Sequence, residues 1–163
     1  MDVSATLEKF TQSAPVNIEG LIEALGIKLE RKGNLHPEIA GQIEAEGSGY
    51  KISVNRNDSY FRRRFTMAHE LAHFLLHSDL IGTGVDDTVA YRSTNIGEFH
   101  NTKITSRHEA EANRMAAYIL MPPKLVRAVH SEVGGDLAKL AMRFQVSKEA
   151  MGYRLQGLSL AQS

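Results

Sequence analysis

Three residues whose types and spacing suit metal chemistry lie in the stretch RRRFTMAHELAHFLLH, residues 62–77. They are His69, Glu70 and His73, in the arrangement His-Glu-x-x-His. Residues four apart lie one above the other on a helix, so both imidazoles can reach one ion. Glu70 would lie beside that ion, where it can take a proton from a water molecule. The pattern therefore predicts a metal centre that activates water.

A catalytic zinc usually has a third protein ligand and one open position for water. His77 continues the four-residue spacing, but eight residues of straight helix rise about 12 Å. Ligand bonds of about 2 Å do not span that distance, so His77 is not predicted to share an ion with His69. At the C-terminus of the helix, where the partial negative charge suits a histidine, His77 either packs or supports a ligand.

A second segment, RHEAEANRMAAYILMPP, carries two glutamates on an alanine-rich helix that can approach a neighbouring helix closely. Glu111 lies in the middle of the alanine cluster and is the favoured third ligand, with Glu109 as the alternative. The other glutamate would pair with Arg107, Lys103 or a ligand histidine. Asn113 is a candidate to accept a hydrogen bond from a ligand imidazole and hold its tautomer.

The elements that must position these side chains follow from hydrophobic periodicity. A helix that begins after Asp58 or Ser59 and ends near His77 has one apolar stripe. Alternation with period two predicts three short antiparallel strands, IKLE, GQIEAE and YKISVNR, the last two joined by a Gly-Ser-Gly turn. Ser106 is expected to cap the second long helix, and Pro122 and Pro123 to end it. The fold class is α+β.

The rest of the chain predicts two short helices near the N-terminus, with Asn17 capping the second, a helix from Lys124 to Glu132, and two further helices capped by Asp136 and Ser147. Residues 78–105 read as a long loop, and no linker divides the single domain 1–163. Residues 136–158 resemble a helix-turn-helix, but residues 122–163 hold six basic and three acidic side chains. That content argues against direct DNA binding and favours packing of these helices on the core.

Composition narrows the function further. The 163 residues are 42% hydrophobic, enough for a core, and Lys plus Arg equals Asp plus Glu at 19 each. A balanced charge argues against bulk binding to nucleic acid or anionic membrane. The absence of cysteine excludes disulfides and thiolate metal sites. With no apolar run of signal-peptide or membrane-span length in its first residues, the chain is predicted to be a soluble cytoplasmic protein.

The two central segments, RFTMAHELAHFLLH and EAEANRMAAYILMP, resemble the ImmA/IrrE family of zinc metallopeptidases. The resemblance extends to GQIEAEGSGYKISVNR and LAKLAMRFQVSKEAMGYRLQGL, and so covers about residues 20–158. It implies a zincin-like core of the gluzincin type, with a small sheet packed on the active-site helix. His69, His73 and Glu111 would bind Zn²⁺ and Glu70 would be catalytic. Met115 stands where the family often has Phe.

The resemblance also implies a function. Family members cleave a helix-turn-helix repressor encoded nearby, and others resemble toxins paired with an antitoxin regulator. We therefore expect a zinc endopeptidase acting on a helix-turn-helix repressor or antitoxin. One alternative is a metal-binding toxin that holds its regulator without proteolysis, and another is a DNA-binding protein that uses residues 136–158. Candidates for the group that shares the oxyanion charge are Tyr91, His100, Arg107 and His108.

Overall fold

A computed structural model describes residues 2–81, 91–92 and 104–161. Two short helices come first, α1 (Val3–Phe10) and α2 (Ile18–Ala24), followed by the strands β1 (Lys28–Gly33), β2 (Gly41–Glu46) and β3 (Gly49–Asn55). The long helix α3 (Tyr60–His77) ends in a 3-10 turn, Ser78–Leu80. After the two-residue strand β4 (Tyr91–Arg92) come α4 (Ser106–Leu120), α5 (Pro123–Glu132), α6 (Leu137–Phe144) and α7 (Lys148–Gly157). This arrangement confirms the α+β class.

The sheet has the order β1-β3-β2-β4 and is mixed, which corrects the expectation of a purely antiparallel sheet of three strands. β2 pairs antiparallel with β3, but β1 pairs parallel with β3, and the short β4 joins the free side of β2. The reason is the connection 34–40, which is long enough to pass over one strand position. β2 therefore forms away from β1, and the hairpin brings β3 back between them.

The predicted hairpin between β2 and β3 is confirmed. Its turn is Gly47-Ser48, and Gly47 has φ 60°, a backbone conformation that glycine adopts without steric cost. Ile43 on β2 and Ile52 on β3 are Cα partners and are fully buried. Alternation along the two strands therefore places an apolar face of the sheet against the core.

Helix α3 packs directly on the sheet at Gly41, the first residue of β2. A Cβ atom at Gly41 would overlap the Thr66 side chain and would lie 2.9 Å from the Ser53 carbonyl oxygen. The same Cβ position is 3.6 Å from Glu70 Cγ. The missing side chain at Gly41 thus lets β2 approach α3 at the turn that carries Glu70.

Helix α4 packs against α3 through small side chains. Ala68 and Ala72 on α3 and Ala112 and Ala116 on α4 are all fully buried. Because alanine side chains are short, two helix backbones can approach closely where they meet. This contact brings the polar residues of α4 to the histidines of α3.

The helix ends were predicted well, with one correction. Ser59, Asn17, Asp136 and Ser147 cap their helices through side-chain oxygens. The residue that caps α4 is Thr105, not Ser106, because His108 completes a capping box with Thr105.

The C-terminal helices pack on the core, as the packing interpretation expected. Leu140, Phe144, Val146 and Met151 are buried. Arg64 of α3 is also buried and donates hydrogen bonds to the carbonyl oxygens of Phe144 and Gln145, at 3.4 and 3.2 Å. None of the helices in the described residues combines the length and hydropathy needed to cross a membrane.

Candidate metal centre

His69 and His73 lie one turn apart on α3 and direct their rings to the same point. Their Nε2 atoms are 3.2 Å apart, and the side chains are buried, His73 completely. Ala68, Leu71 and Ala72, the neighbours of these histidines in the chain, are fully buried. The surrounding packing therefore restricts where the rings can turn.

Helix α4 brings Glu109 to this pair of histidines. Glu109 Oε1 lies 3.0 Å from His69 Nε2 and 3.1 Å from His73 Nε2. Ligand atoms of a tetrahedral zinc ion with bonds of about 2.05 Å are separated by about 3.3 Å. The three atoms form a triangle of nearly that size, and two imidazoles with one carboxylate are ligands that zinc accepts. The residues present therefore fit a divalent metal ion.

Glu111, the residue favoured by the sequence, is not at the histidine pair. Its Oε1 lies 3.0 Å from His77 Nε2, and its Oε2 lies 3.8 Å from Arg107 Nε. A helix turns about 100° per residue, so Glu111 points about 200° further round α4 than Glu109. The structure thus brings together His69, His73 and Glu109, and it places Glu111 in the neighbouring cluster.

A signal for this arrangement exists in the sequence. Glu109, Ala112, Asn113 and Ala116 recur at spacings of three and four, which defines the face that α4 turns to α3. The alanines on that face are buried. The preference for Glu111 rested on the density of alanines around it and not on their helical phase, whereas Glu109 shares the face of Ala112, Asn113 and Ala116.

Asn113 supports His69, as the sequence suggested. Asn113 Oδ1 lies 2.8 Å from His69 Nδ1, a distance at which the ring N–H donates to the amide oxygen. A neutral imidazole with its proton on Nδ1 has a lone pair on Nε2. Asn113 thus turns the lone pair of His69 towards Glu109 and His73.

His77 extends the cluster on the other side and is buried, 6% exposed. Its Nδ1 lies 2.9 Å from His73 Nδ1. His77 does not take part in the triangle, as the rise along the helix predicted. His77 contacts His73 directly. Of the two roles that the sequence left open for His77, packing or support of a ligand, the contact favours support of a ligand.

Burial controls the charge of the central histidine. Removal from solvent lowers the pKa of His73 to about 4; the nearby carboxylate of Glu109 opposes this shift, and the neighbouring imidazoles add to it. His73 is therefore neutral at pH 7 and has a lone pair to offer a metal ion. The hydrogen bond from His77, together with Arg107, holds the pKa of Glu111 below its usual value, so that carboxylate is ionised.

Glu70 is fully buried at the contact between α3 and β2. Its neighbours in the chain are His69 and Leu71, so it lies on the turn that carries the first histidine of the triangle. Among the proposed oxyanion-stabilising residues, Arg107 is exposed and contacts Glu111, and His108 accepts a hydrogen bond from the Thr105 N–H. The side chains of Tyr91 and His100 lie outside the described residues, as does Lys103.

A cavity of about 330 Å³ lies beside His77 and Glu111, and none of the three residues of the triangle lines it. Its lining contains His77, His108 and Glu111 with Asp79 and Arg107, and Leu76 and Leu80 supply the apolar part. The lining of this cavity is thus mostly polar.

Comparisons with known proteins agree with the fold. A solved Mycobacterium tuberculosis transcriptional regulator matches with a TM-score of 0.61 and 19% identity, covering 94% of this chain and 46% of that chain. The chain spans about half the length of that regulator, and the likeness shows a shared fold. A comparison with curated protein sequences found no match.

The family model for the IrrE N-terminal-like domain, Peptidase M78, matches residues 22–156. This range includes the whole sheet core, the triangle and the C-terminal helices as far as α7. Membership of a peptidase family and the cluster of histidines and glutamate together imply a metal ion and a metallopeptidase-like role. Because the match covers most of its length, the chain belongs to the IrrE N-terminal-like domain family, Peptidase M78.

Proposed function

We propose that this protein is a zinc-dependent endopeptidase in which His69, His73 and Glu109 bind the metal ion. The observation that carries the proposal is the triangle of Nε2, Nε2 and Oε1 atoms with sides of 3.0–3.2 Å. Two imidazoles and one carboxylate are a ligand set that would hold a catalytic zinc ion with room for water or substrate. Family membership supports the reaction class.

A zinc ion held here would supply a Lewis acid that activates water and polarises the substrate carbonyl. Glu70 is the general base: its carboxylate takes a proton from the attacking water and passes it to the nitrogen of the leaving amine. Its burial keeps the carboxylate in a medium of low polarity, where interactions with nearby charge are strong. His69 and His73 are held by Asn113 and His77, so the ligand atoms are already in place before substrate binds.

We propose a helix-turn-helix repressor or antitoxin of the cytoplasm as the substrate. Two observations support a regulator: the family to which the chain belongs, and the likeness of its fold to half of a transcriptional regulator. The polar cavity beside His77 and Glu111 would admit a polar peptide segment more readily than a small apolar molecule.

The experiment is to incubate the zinc-loaded protein with helix-turn-helix regulators, beginning with any that is encoded beside its gene, and to identify fragments by mass spectrometry. Glu70→Gln should bind zinc but produce no fragments, because the amide cannot accept the proton. Glu8→Gln, the same chemical change on the exposed side of α1, should cut like the parent chain. Cleavage by Glu70→Gln at the parental rate would disprove the mechanism. A stable complex without fragments would support the non-proteolytic toxin instead.

A further inference from the structure

His77 joins one ligand histidine to a carboxylate through two short contacts. Its Nδ1 lies 2.9 Å from His73 Nδ1, and its Nε2 lies 3.0 Å from Glu111 Oε1. Both histidines are buried, so no water replaces these contacts easily. Glu111, His77 and His73 therefore form one continuous chain of hydrogen bonds that ends at the triangle.

The chemistry of the three groups determines the direction of each hydrogen bond. An ionised carboxylate only accepts, so the proton between Glu111 and His77 is on His77 Nε2. A neutral imidazole has one N–H, which leaves His77 Nδ1 as an acceptor. The proton between the two rings is then on His73 Nδ1. The lone pair of His73 is then on Nε2, the atom that faces His69 and Glu109, as binding of a metal ion between these atoms requires. Without a metal ion, Glu109 competes for the His73 proton at Nε2, because its carboxylate also only accepts.

We propose that His77 and Glu111 are positioning residues that hold His73 in the tautomer whose Nε2 atom binds the metal ion. This role rests on the proposed function, since it assumes that the triangle binds metal. It matches the role of Asn113 at the other ligand, His69. His69 is held directly by the amide of Asn113. His73 is held by His77, which the carboxylate of Glu111 orients.

His77, His108 and Glu111 have ligand atoms close enough to one another for a second metal site. The hydrogen bonds oppose that assignment. His108 Nδ1 accepts from the Thr105 N–H at 3.0 Å, so the proton of a neutral His108 is on Nε2. His77 Nε2 donates to Glu111, so neither ring presents a lone pair there. His77 and Glu111 are thus assigned to the support of His73 and not to a second metal site.

The test is the zinc affinity of the full chain, measured by competition with a chromogenic chelator, for the parent and three variants. His77→Phe keeps a ring but removes the acceptor for His73, and it should weaken zinc binding by about 10- to 100-fold. His77→Gln offers a side-chain oxygen that can accept from His73 Nδ1, so its affinity should stay near that of the parent. Glu111→Ala leaves His77 in place and should show a smaller loss than His77→Phe.

A second measurement reads the tautomer without metal. With Glu109 replaced by Ala, so that no carboxylate competes for the His73 proton at Nε2, long-range ¹H–¹⁵N NMR spectra should show that proton on Nδ1 when residue 77 is His or Gln, and a mixture of tautomers in His77→Phe. Glu111 is partly exposed, so Glu111→Ala and His77→Gln test the chain of hydrogen bonds even if His77→Phe does not fold.

Three results would overturn the proposal: equal zinc affinity for all four proteins, an unchanged His73 tautomer in His77→Phe, or two zinc ions bound per parent chain. If the parent bound no zinc, the proposed function would fail. The metal-free NMR spectra would still show whether the hydrogen bonds hold the His73 tautomer, so the two failures are distinguishable.

Discussion

Asn113 on α4 and His69 on α3 are joined by a hydrogen bond of 2.8 Å, from ring Nδ1–H to amide oxygen. Asn113 lies four residues after Glu109, so both side chains leave the same face of α4. Helix α4 thus supplies the carboxylate of Glu109 to the triangle. Through Asn113 it also orients the imidazole of His69. The geometry of the site depends on the contact between two helices more than on either helix alone.

Replacement of Asn113 by Leu should weaken binding of Co²⁺, used as a coloured substitute for zinc, by about 10- to 100-fold. Leu has a similar volume but no acceptor, so His69 would lose its preference for the tautomer with a free Nε2. Asn113→Asp keeps an acceptor oxygen and should bind Co²⁺ at least as well as the parent. The measurement is the absorption of bound Co²⁺ during titration. Equal binding by the Leu variant would show that Asn113 does not orient His69.

The metal content of two alanine variants shows whether Glu109 or Glu111 is the third metal ligand. Glu109→Ala removes one corner of the triangle and should leave the purified protein without a stoichiometric metal ion. Glu111→Ala removes only the partner of His77, so that variant should still hold one ion at saturating zinc. Elemental analysis after removal of free metal distinguishes the two. The opposite result would restore Glu111 as the ligand, as the sequence alone suggested.

Much of the site was predictable because it lies within one helix. His69, Glu70 and His73 are fixed relative to one another by helical periodicity, and α3 begins and ends where the cap and the apolar stripe predict. The third corner was not predictable in the same way. Which glutamate faces the two histidines depends on the rotation of α4 about its own axis. Glu109 and Glu111 point in directions about 200° apart around that axis, so a change in this rotation would exchange their places.

The fold shows the same limit. Alternation predicted the strands GQIEAE and YKISVNR as β2 and β3, because apolar and polar residues alternate along both segments. It carried no information on the order of strands, so the parallel pairing of β1 with β3 was missed. Strand order is decided by the connection 34–40 and by packing against α3, which local patterns do not contain.

The metal-free protein should lose stability as the pH falls from about 6.5 towards 4, because burial lowers the pKa of His73 to about 4. In this range the unfolded chain takes up a proton that the folded chain excludes, so the free energy of unfolding falls with pH. For His73 alone the loss between pH 7 and pH 5 is about 2 kcal/mol. Urea unfolding at both pH values measures it. His73→Gln should show a smaller dependence on pH, and an unchanged slope in that variant would contradict the assignment.

Gly41 should be intolerant of even a methyl group. A Cβ there would overlap Thr66 and crowd the Ser53 carbonyl, and β2 or α3 would have to move at the turn that carries Glu70. Gly41→Ala should therefore lower the free energy of unfolding by about 1–3 kcal/mol, the usual effect of overpacking. Chemical denaturation of the metal-free protein measures this change.

Gly49 is the matched control for Gly41, since it opens β3 as Gly41 opens β2 and a Cβ there would meet nothing within 4 Å. Gly49→Ala should unfold at nearly the same urea concentration as the parent. Adding Thr66→Ser to Gly41→Ala removes the methyl group that the new Cβ would overlap, so the double variant should recover part of the lost stability. The Ser53 carbonyl stays in place, and full recovery is not expected. If Gly41→Ala and Gly49→Ala were equally stable, close packing of β2 on α3 would not be what requires glycine at position 41.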